Sequence, residues 1–350
     1  MKNIQIHSDL DFVDAFPNEE ACIKYLENKR WNGTPKCPSC NNTKNNYFLK
    51  TRNIHKCSSC KKQFSVKQGT IFQSSKLPLR TWFFVIYYFL QDKRGISSCQ
   101  IAKRMNIQQK TAWLMLSKIR ETMKDENMKS ELSGIIEVDE TWVGSNPSRD
   151  LRLQRRMDNH CKSSATGTKG YEHLKTVIGL IDRYNSKIVL RKIGWNRSCL
   201  NNEIANTILK KHVNTISTII SDGDKGYSKV NKHFHSHGVI VKDKSIEKRR
   251  KDGSMYTFKY NKYVNDKTHV NGIENVWKHL KNGFVTTYIH FSYKHTDRYL
   301  DEFSFRWNRK DFSVSRFLRR QLRTLLGKHS HIISWFHGNM NIRVCPGQLN

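Results

Sequence analysis

Acidic residues are scarce in this sequence: 30 Asp and Glu stand against 62 Lys and Arg in 350 residues, a formal charge of +32. Self-repulsion of that size opposes compaction unless a polyanion offsets it. Nucleic acid is the commonest such partner, an anionic membrane surface the second, and a merely soluble basic protein the bland alternative. Long apolar runs are missing too. The longest, Trp82 to Leu90, is nine residues and reads as a buried helix; a membrane span needs roughly 18. No hydrophobic secretory segment opens the chain, so a reducing intracellular setting is expected, with no membrane partner. Nor is there an internal repeat. Nine cysteines do not argue for a disulfide framework, since four fall into a metal-type pattern. The remaining five, Cys22, Cys99, Cys161, Cys199 and Cys345, show no partner spacing and read as ordinary thiols.

The chain is longer than one compact domain usually needs, and its patterning separates into four zones. Residues 1–72 hold a short helix after the N-cap candidate Asn18 and then Cys-rich, turn-rich sequence. Residues 73–130 read as helices. Residues 131–290 alternate strand and helix patterns, and residues 291–350 return to basic helix and a tail. Two basic, apolar-poor segments, Arg149 to Lys169 and Lys242 to Lys262, interrupt the third zone and read as loops. They are either DNA-contacting or plain solvated insertions.

Cys37-Pro-Ser-Cys40 and Cys57-Ser-Ser-Cys60 are two C-x-x-C knuckles sixteen residues apart. Each pair can give two thiolates to one tetrahedral Zn²⁺, and the spacer fits two short strands that bring the pairs together. Lys36, Lys61 and Lys62 flank them and favour the thiolate form. With all four positions filled by protein, the zinc is structural. No βαβ pattern surrounds either pair, which disfavours a redox role.

From Ser97 to Leu116 the sequence suits two helices meeting at a tight turn, with Ile101, Met105, Ile107, Trp113 and Leu116 as the shared seam. Gln108, Gln109, Lys110 and Thr111 open the second helix, where the recognition helix of a helix-turn-helix touches bases and phosphates. A helical hairpin that only packs has the same spacing.

The strand candidate Ile135-Ile-Glu137-Val-Asp139-Glu140-Thr141-Trp-Val143 is built of β-formers yet carries three acids. Buried carboxylates are costly unless they hold a metal or pair with a cation. Alternation puts Glu137, Asp139 and Thr141 on one face and Glu140 on the other. A second strand, Ile216 to Ser221, runs directly into Asp222-Gly-Asp224. In the segment from Asn271 to Lys281, Ile273, Val276, Trp277 and Leu280 repeat at helical spacing, while Asn271, Glu274, Lys278 and Lys281 line a neighbouring stripe. Around these acids the pattern predicts a strand over 134–143, a hairpin (Leu174–Asp182, Ser186–Ile193), and a helix over Leu200–Val213. Then come a strand over 216–221, a helix over about 226–236, a strand over Val239–Lys242, and a helix from 269. That β-β-β-α-β-α-β-α order is the order of a ribonuclease-H-like α/β domain with a mixed sheet. Two strand acids and one helix acid would converge there on paired metals. Mg²⁺ or Mn²⁺ suits such oxygen ligands, and two ions ~4 Å apart can drive an in-line phosphodiester displacement. Scattered surface acids are the competing reading.

The motifs also come in a telling order. After the knuckles stand Phe64-Ser-Val-Lys-Gln-Gly69-Thr-Ile-Phe72 and Lys76-Leu-Pro-Leu79. Glu137-Val-Asp-Glu-Thr-Trp-Val-Gly144, Ser221-Asp-Gly-Asp-Lys-Gly-Tyr227, His269-Val-Asn-Gly-Ile-Glu-Asn-Val-Trp-Lys-His-Leu-Lys281 and Arg298-Tyr-Leu-Asp-Glu-Phe-Ser-Phe-Arg-Trp-Asn-Arg309 follow. From about residue 10 to 325 the set resembles the Merlin-like transposases and their bacterial insertion-sequence relatives with an ISXO-like domain. The resemblance implies a DDE transposase that binds the terminal inverted repeats of its element and cuts and joins strands with divalent metal. Asp139 and Asp222 correspond to the two aspartates and Glu274 to the third acid. Asn271 and Lys281 are secondary candidates; Glu274 is favoured over Asn271 because it alone gives a charged ligand. The region after Gly144, where a Gly-rich basic stretch is expected, departs most from the pattern. Implied partners are double-stranded DNA, as element ends and target, and further copies of the chain, at least a dimer on DNA. The implied location is wherever that DNA lies, a nucleoid, nucleus or viral factory according to host. A decayed or repurposed DNA-binding protein is the runner-up. A ribonuclease-H-like nuclease or resolvase, which cuts without joining, is the third reading.

Overall fold

The structure is a computed structural model. It describes residues 8–92, 94–124, 131–144, 174–195, 200–240, 243–249, 255–261, 264–265, 268–289 and 291–308. The basic segment Arg149 to Lys169 and the C-terminal sequence beyond 308 lie outside the described residues. Two compact units result, one around Met1–Thr122 and one over Met123–Lys310.

In the first unit, helices α1 (Asp9–Ala15) and α2 (Glu19–Trp31) start at side-chain caps: Ser8 forms a reciprocal box with Asp11, and Asn18 Oδ1 accepts from the Ala21 amide at 2.9 Å. The strands β1 (Tyr47–Leu49), β2 (Ile54–Lys56) and β3 (Gln63–Phe64) form a small antiparallel sheet between and beside the cysteine knuckles. The apolar run at 82–90 forms most of α3 (Leu79–Gln91) and is largely buried; there Phe83 meets Phe16 edge-on and Tyr87 stacks on Phe12. Helix α4 (Ser98–Met105) and helix α5 (Gln109–Glu121) follow, joined through Asn106 in the left-handed conformation at φ 49°.

The second unit is mixed α/β. Its strands are β4 (Ile135–Val143), β5 (Lys175–Asp182), β6 (Ile188–Trp195), β7 (Thr218–Asp222) and β8 (Ser236–Ile240), in the order β6-β5-β4-β7-β8. The first three pair antiparallel, while β7 pairs parallel with β4 and β8 parallel with β7. One face packs against α6 (Asn202–His212), through Ile136, Val138, Ile219, Leu209 and Tyr227. The other carries α7 (Asn271–Gly283) and α8 (Thr296–Trp307), through Val177, Ile220, Ile273, Trp277 and Leu300.

Two expectations change. No helix spans 226–236; there are two 3₁₀ turns, Lys225–Tyr227 and Val230–Lys232. Asn202 competes for the backbone there, accepting from the Lys229 amide at 2.9 Å and donating to the Lys225 carbonyl at 3.1 Å. The basic segment over 242–262 is not a loop throughout: β9 (Asp243–Arg249) and β10 (Met255–Asn261) pair antiparallel in their own sheet. Tyr256, Thr257, Phe258 and Tyr260 are β-formers whose preference outweighs the surrounding charge. Short strands β11 (Val264–Asn265) and β12 (Thr268–His269) lead into α7. Among the described residues no helix is long and apolar enough to cross a membrane.

Candidate active site

The acids of β4 divide by job. Glu137 is almost fully buried, and each of its oxygens is occupied: Oε1 accepts from Arg183 Nε at 3.0 Å and Oε2 from the Ile273 amide at 3.0 Å. Arg183 Nη2 also donates to the His269 carbonyl at 2.8 Å, so this pair fastens the start of α7 to the sheet. A carboxylate at a helix N-terminus gains from the exposed amides and the helix dipole. Removing one partner of a buried pair leaves a charge uncompensated. Arg183→Met is therefore expected to lower unfolding stability by about 3–5 kcal/mol, read as a shift in denaturant midpoint; an unchanged midpoint would deny Glu137 this anchoring role.

With α7 fastened, its next inward residue reaches Asp139, where the Trp277 indole N–H donates to Oδ2 at 2.9 Å. The ring can lie there because Gly179 is the residue paired with Asp139 across β4 and β5. A Cβ at Gly179 would sit 2.3 Å from Trp277. Sequence reasoning missed both residues as site builders; a lone glycine inside a strand, opposite an acid, was the available signal.

Strands β4 and β7 run parallel with Val138 beside Ser221, so Asp139 and Asp222 follow side by side on the same face. Asp139, Glu140 and Asp222 each present a carboxylate oxygen, and these oxygens all lie within 4.8 Å of one another. Glu140 belongs to the opposite face, where Tyr227 Oη donates to its Oε2 at 2.9 Å. Burial and the charges of Asp222 and Asp139 push the Glu140 carboxyl up to about 7. Three acids this close, one buried and two half-buried, fit a hard divalent cation, which takes oxygen ligands and cancels their repulsion. Glu274 is outside this group; it is half-buried on α7 one turn before Trp277, with its amide bonded to the Val270 carbonyl at 3.1 Å. Asn271 and Lys281 are exposed at the two ends of the same helix.

The four knuckle cysteines also converge. Sγ atoms of Cys37 and Cys60 are 3.6 Å apart, and those of Cys40 and Cys57 3.5 Å. Zn–S bonds of about 2.3 Å in a tetrahedron put sulfurs roughly 3.8 Å apart, so the group supports a structural Zn²⁺. Both knuckles turn alike: Cys37 N bonds the Asn42 carbonyl and Cys57 N the Lys62 carbonyl, each at 2.9 Å. Burial opposes ionisation of Cys57, but the amides of Cys60 and Ser59 and the Cys40 thiol bring it down to about 6.

At the start of α5, Gln108 and Lys110 are exposed. Thr111 is half-buried, and Gln109 donates to Ser98 Oγ at 2.7 Å, bracing α5 on α4.

Fold and sites together define a class: a zinc-ribbon protein whose mixed sheet carries a metal-type carboxylate cluster. The ISXO2-like transposase domain matches residues 131–308, more than half of the chain, and the transposase zinc-ribbon domain matches residues 17–63. The chain belongs to the ISXO2-like transposase family. It is similar to a protein in transposable element ISH50 of Halobacterium salinarum, 23% identical over 175 residues, 49% of this chain and 57% of that relative. The chain thus spans a little over half the length of the curated relative it matches.

Proposed function

We propose that this protein is a DNA transposase that binds the terminal inverted repeats of its own element, cleaves there, and joins the freed 3′-hydroxyls to target DNA. The observation that carries this reading is the side-by-side placement of Asp139 and Asp222 at the parallel β4–β7 pair, inside the transposase domain. The sheet order, with three antiparallel strands and then two parallel ones, supports a ribonuclease-H-like catalytic domain over residues 131–290. Residues 1–72 form the zinc-ribbon module and 73–130 a helix-turn-helix, with α5 as recognition helix and Gln108, Gln109, Lys110 and Thr111 at its DNA-facing end. Helix α8 follows at Thr296–Trp307.

A pair of Mg²⁺ or Mn²⁺ ions held here would supply charge stabilisation for an in-line phosphodiester displacement. Asp139, held by Trp277, and Asp222 are the ligands that face each other across the strand pair; Glu274 is the third acid, with Asn271 and Lys281 as secondary candidates on α7. Two ends must be processed together, so at least a dimer acts on DNA, inside the cell wherever the element resides. The charge of +32 supplies the attraction to phosphate.

The test incubates purified protein, with and without Mg²⁺ or Mn²⁺, with DNA carrying the ends that flank its gene. Metal-dependent joined products are expected, lost in Glu274→Gln and retained in Asn271→Ala. Cutting without joining would reassign the protein as a nuclease or resolvase. Binding with neither, in a folded zinc-loaded protein, would make it a transposase-derived DNA-binding protein.

A further inference from the structure

We propose that Glu140 is a further metal ligand of the Asp139–Asp222 site and that Tyr227 is the residue that positions it, an inference that rests on the transposase reading above. Successive residues of a strand point to opposite faces, so Asp139 and Glu140 start on opposite sides of the sheet. The pairing of β4 with β7 ends at Val138 and Ser221, while β4 continues to Val143 along β5. Glu140 therefore stands past the last β4–β7 rung, and β7 itself ends at Asp222. Its carboxylate swings past that end until an oxygen lies within 4.8 Å of those of Asp139 and Asp222.

Something must hold it there, because the three negative charges repel one another. The Tyr227 side chain is wholly buried among α6 and the lower face of the sheet, and its hydroxyl donates to Glu140 Oε2 at 2.9 Å. That bond occupies one carboxylate oxygen and leaves the other for a cation. The rest of the segment from Asp222 to Tyr227 explains why the tyrosine arrives on target. Asp224 Oδ1 accepts from the Gly226 amide at 2.7 Å and closes the 3₁₀ turn. Asn202 ties that turn to α6 through the Lys225 carbonyl and the Lys229 amide. Gly226 must lack a Cβ, since one would lie 2.5 Å from Leu200 Cγ. One short motif thus supplies a ligand, Asp222, and the clamp on a second, Glu140, from the other side of the sheet. A purely structural Tyr–Glu bond needs no approach of Glu140 to the two aspartates; the observed convergence does.

The experiment measures Mn²⁺ binding to the full-length, zinc-loaded protein by titration calorimetry and by electron paramagnetic resonance of free Mn²⁺. Variants are Glu140→Gln, Tyr227→Phe, the double variant and Asp139→Asn, each checked for an unchanged thermal midpoint. Glu140→Gln is expected to weaken Mn²⁺ by at least about tenfold. Tyr227→Phe should cost about tenfold, as outer partners of metal ligands do, and should add little once Glu140 is gone. If Asp139→Asn loses Mn²⁺ while Glu140→Gln and Tyr227→Phe bind like wild type, the assignment of Glu140 is overturned and the transposase site stands. If Tyr227→Phe weakens binding as strongly in the double variant as alone, Tyr227 does not act through Glu140. If wild type itself binds no Mn²⁺, the catalytic reading falls and this inference with it.

Discussion

Asp139→Asn is expected to cut strand joining by about a thousandfold while DNA-end binding stays within a few-fold of wild type. The size follows from what the carboxylate supplies. Charge stabilisation by a bound metal is worth several kcal/mol in the transition state, and about 4 kcal/mol corresponds to three factors of ten. Asparagine keeps the shape, and its amide oxygen can still accept the Trp277 indole N–H that now bonds Asp139 at 2.9 Å. The fold should therefore survive, with a thermal midpoint close to wild type. What disappears is a formal negative charge beside Asp222. DNA contacts assigned to the ribbon and to α5 belong to the other compact unit, so they are not altered directly. Joining that persists at wild-type rate would remove Asp139 from the chemistry, and with it the main support for a DDE mechanism.

Period-2 alternation was enough to put Glu137, Asp139 and Thr141 on one face of a strand found at Ile135–Val143, and helical spacing to find α7 at Asn271–Gly283. The knuckle spacing likewise anticipated four converging thiols. Local patterns report such features because they are set by local geometry. Where side chains go after they leave the backbone is set by neighbours distant in sequence. The strand pattern alone left open whether the buried Glu137 holds a metal or pairs with a cation; Arg183 and the start of α7 take both its oxygens. Glu140 looked turned away, yet past the last β4–β7 rung its carboxylate comes within 4.8 Å of those of Asp139 and Asp222. The turns at 225–232 were misjudged as helix because Asn202, more than twenty residues earlier, captures their backbone. The hairpin of β9 and β10 was hidden by its charge, although β10 has the residues of a strand.

Loss of zinc is expected to unfold the ribbon and leave the unit over Met123–Lys310 intact. The ribbon has little else to hold it: strands of three, three and two residues, and a buried cluster of Cys37, Cys57 and Phe64 with Trp31 and Cys60 against it. Segments this small rarely bury enough apolar surface to offset chain entropy. Structural zinc contributes on the order of 10 kcal/mol or more at neutral pH in comparable modules, far beyond what the cluster or the His55–Glu27 contact at 2.8 Å can replace. Chelation, or Cys57→Ser, should therefore release the packing of Trp31 against His55 and Phe64, seen as a red shift of its fluorescence. Affinity for the element ends should drop by at least about tenfold, since the end binding proposed for the ribbon depends on a folded ribbon. Residues Met123–Lys310 have their own core on both faces of the sheet, so Mn²⁺ affinity at the carboxylate site should not follow the zinc. A chelated protein that keeps its Trp31 environment and its affinity for DNA ends would show that the ribbon folds by packing alone. Mn²⁺ affinity falling in step with zinc content would show instead that the two units fold as one.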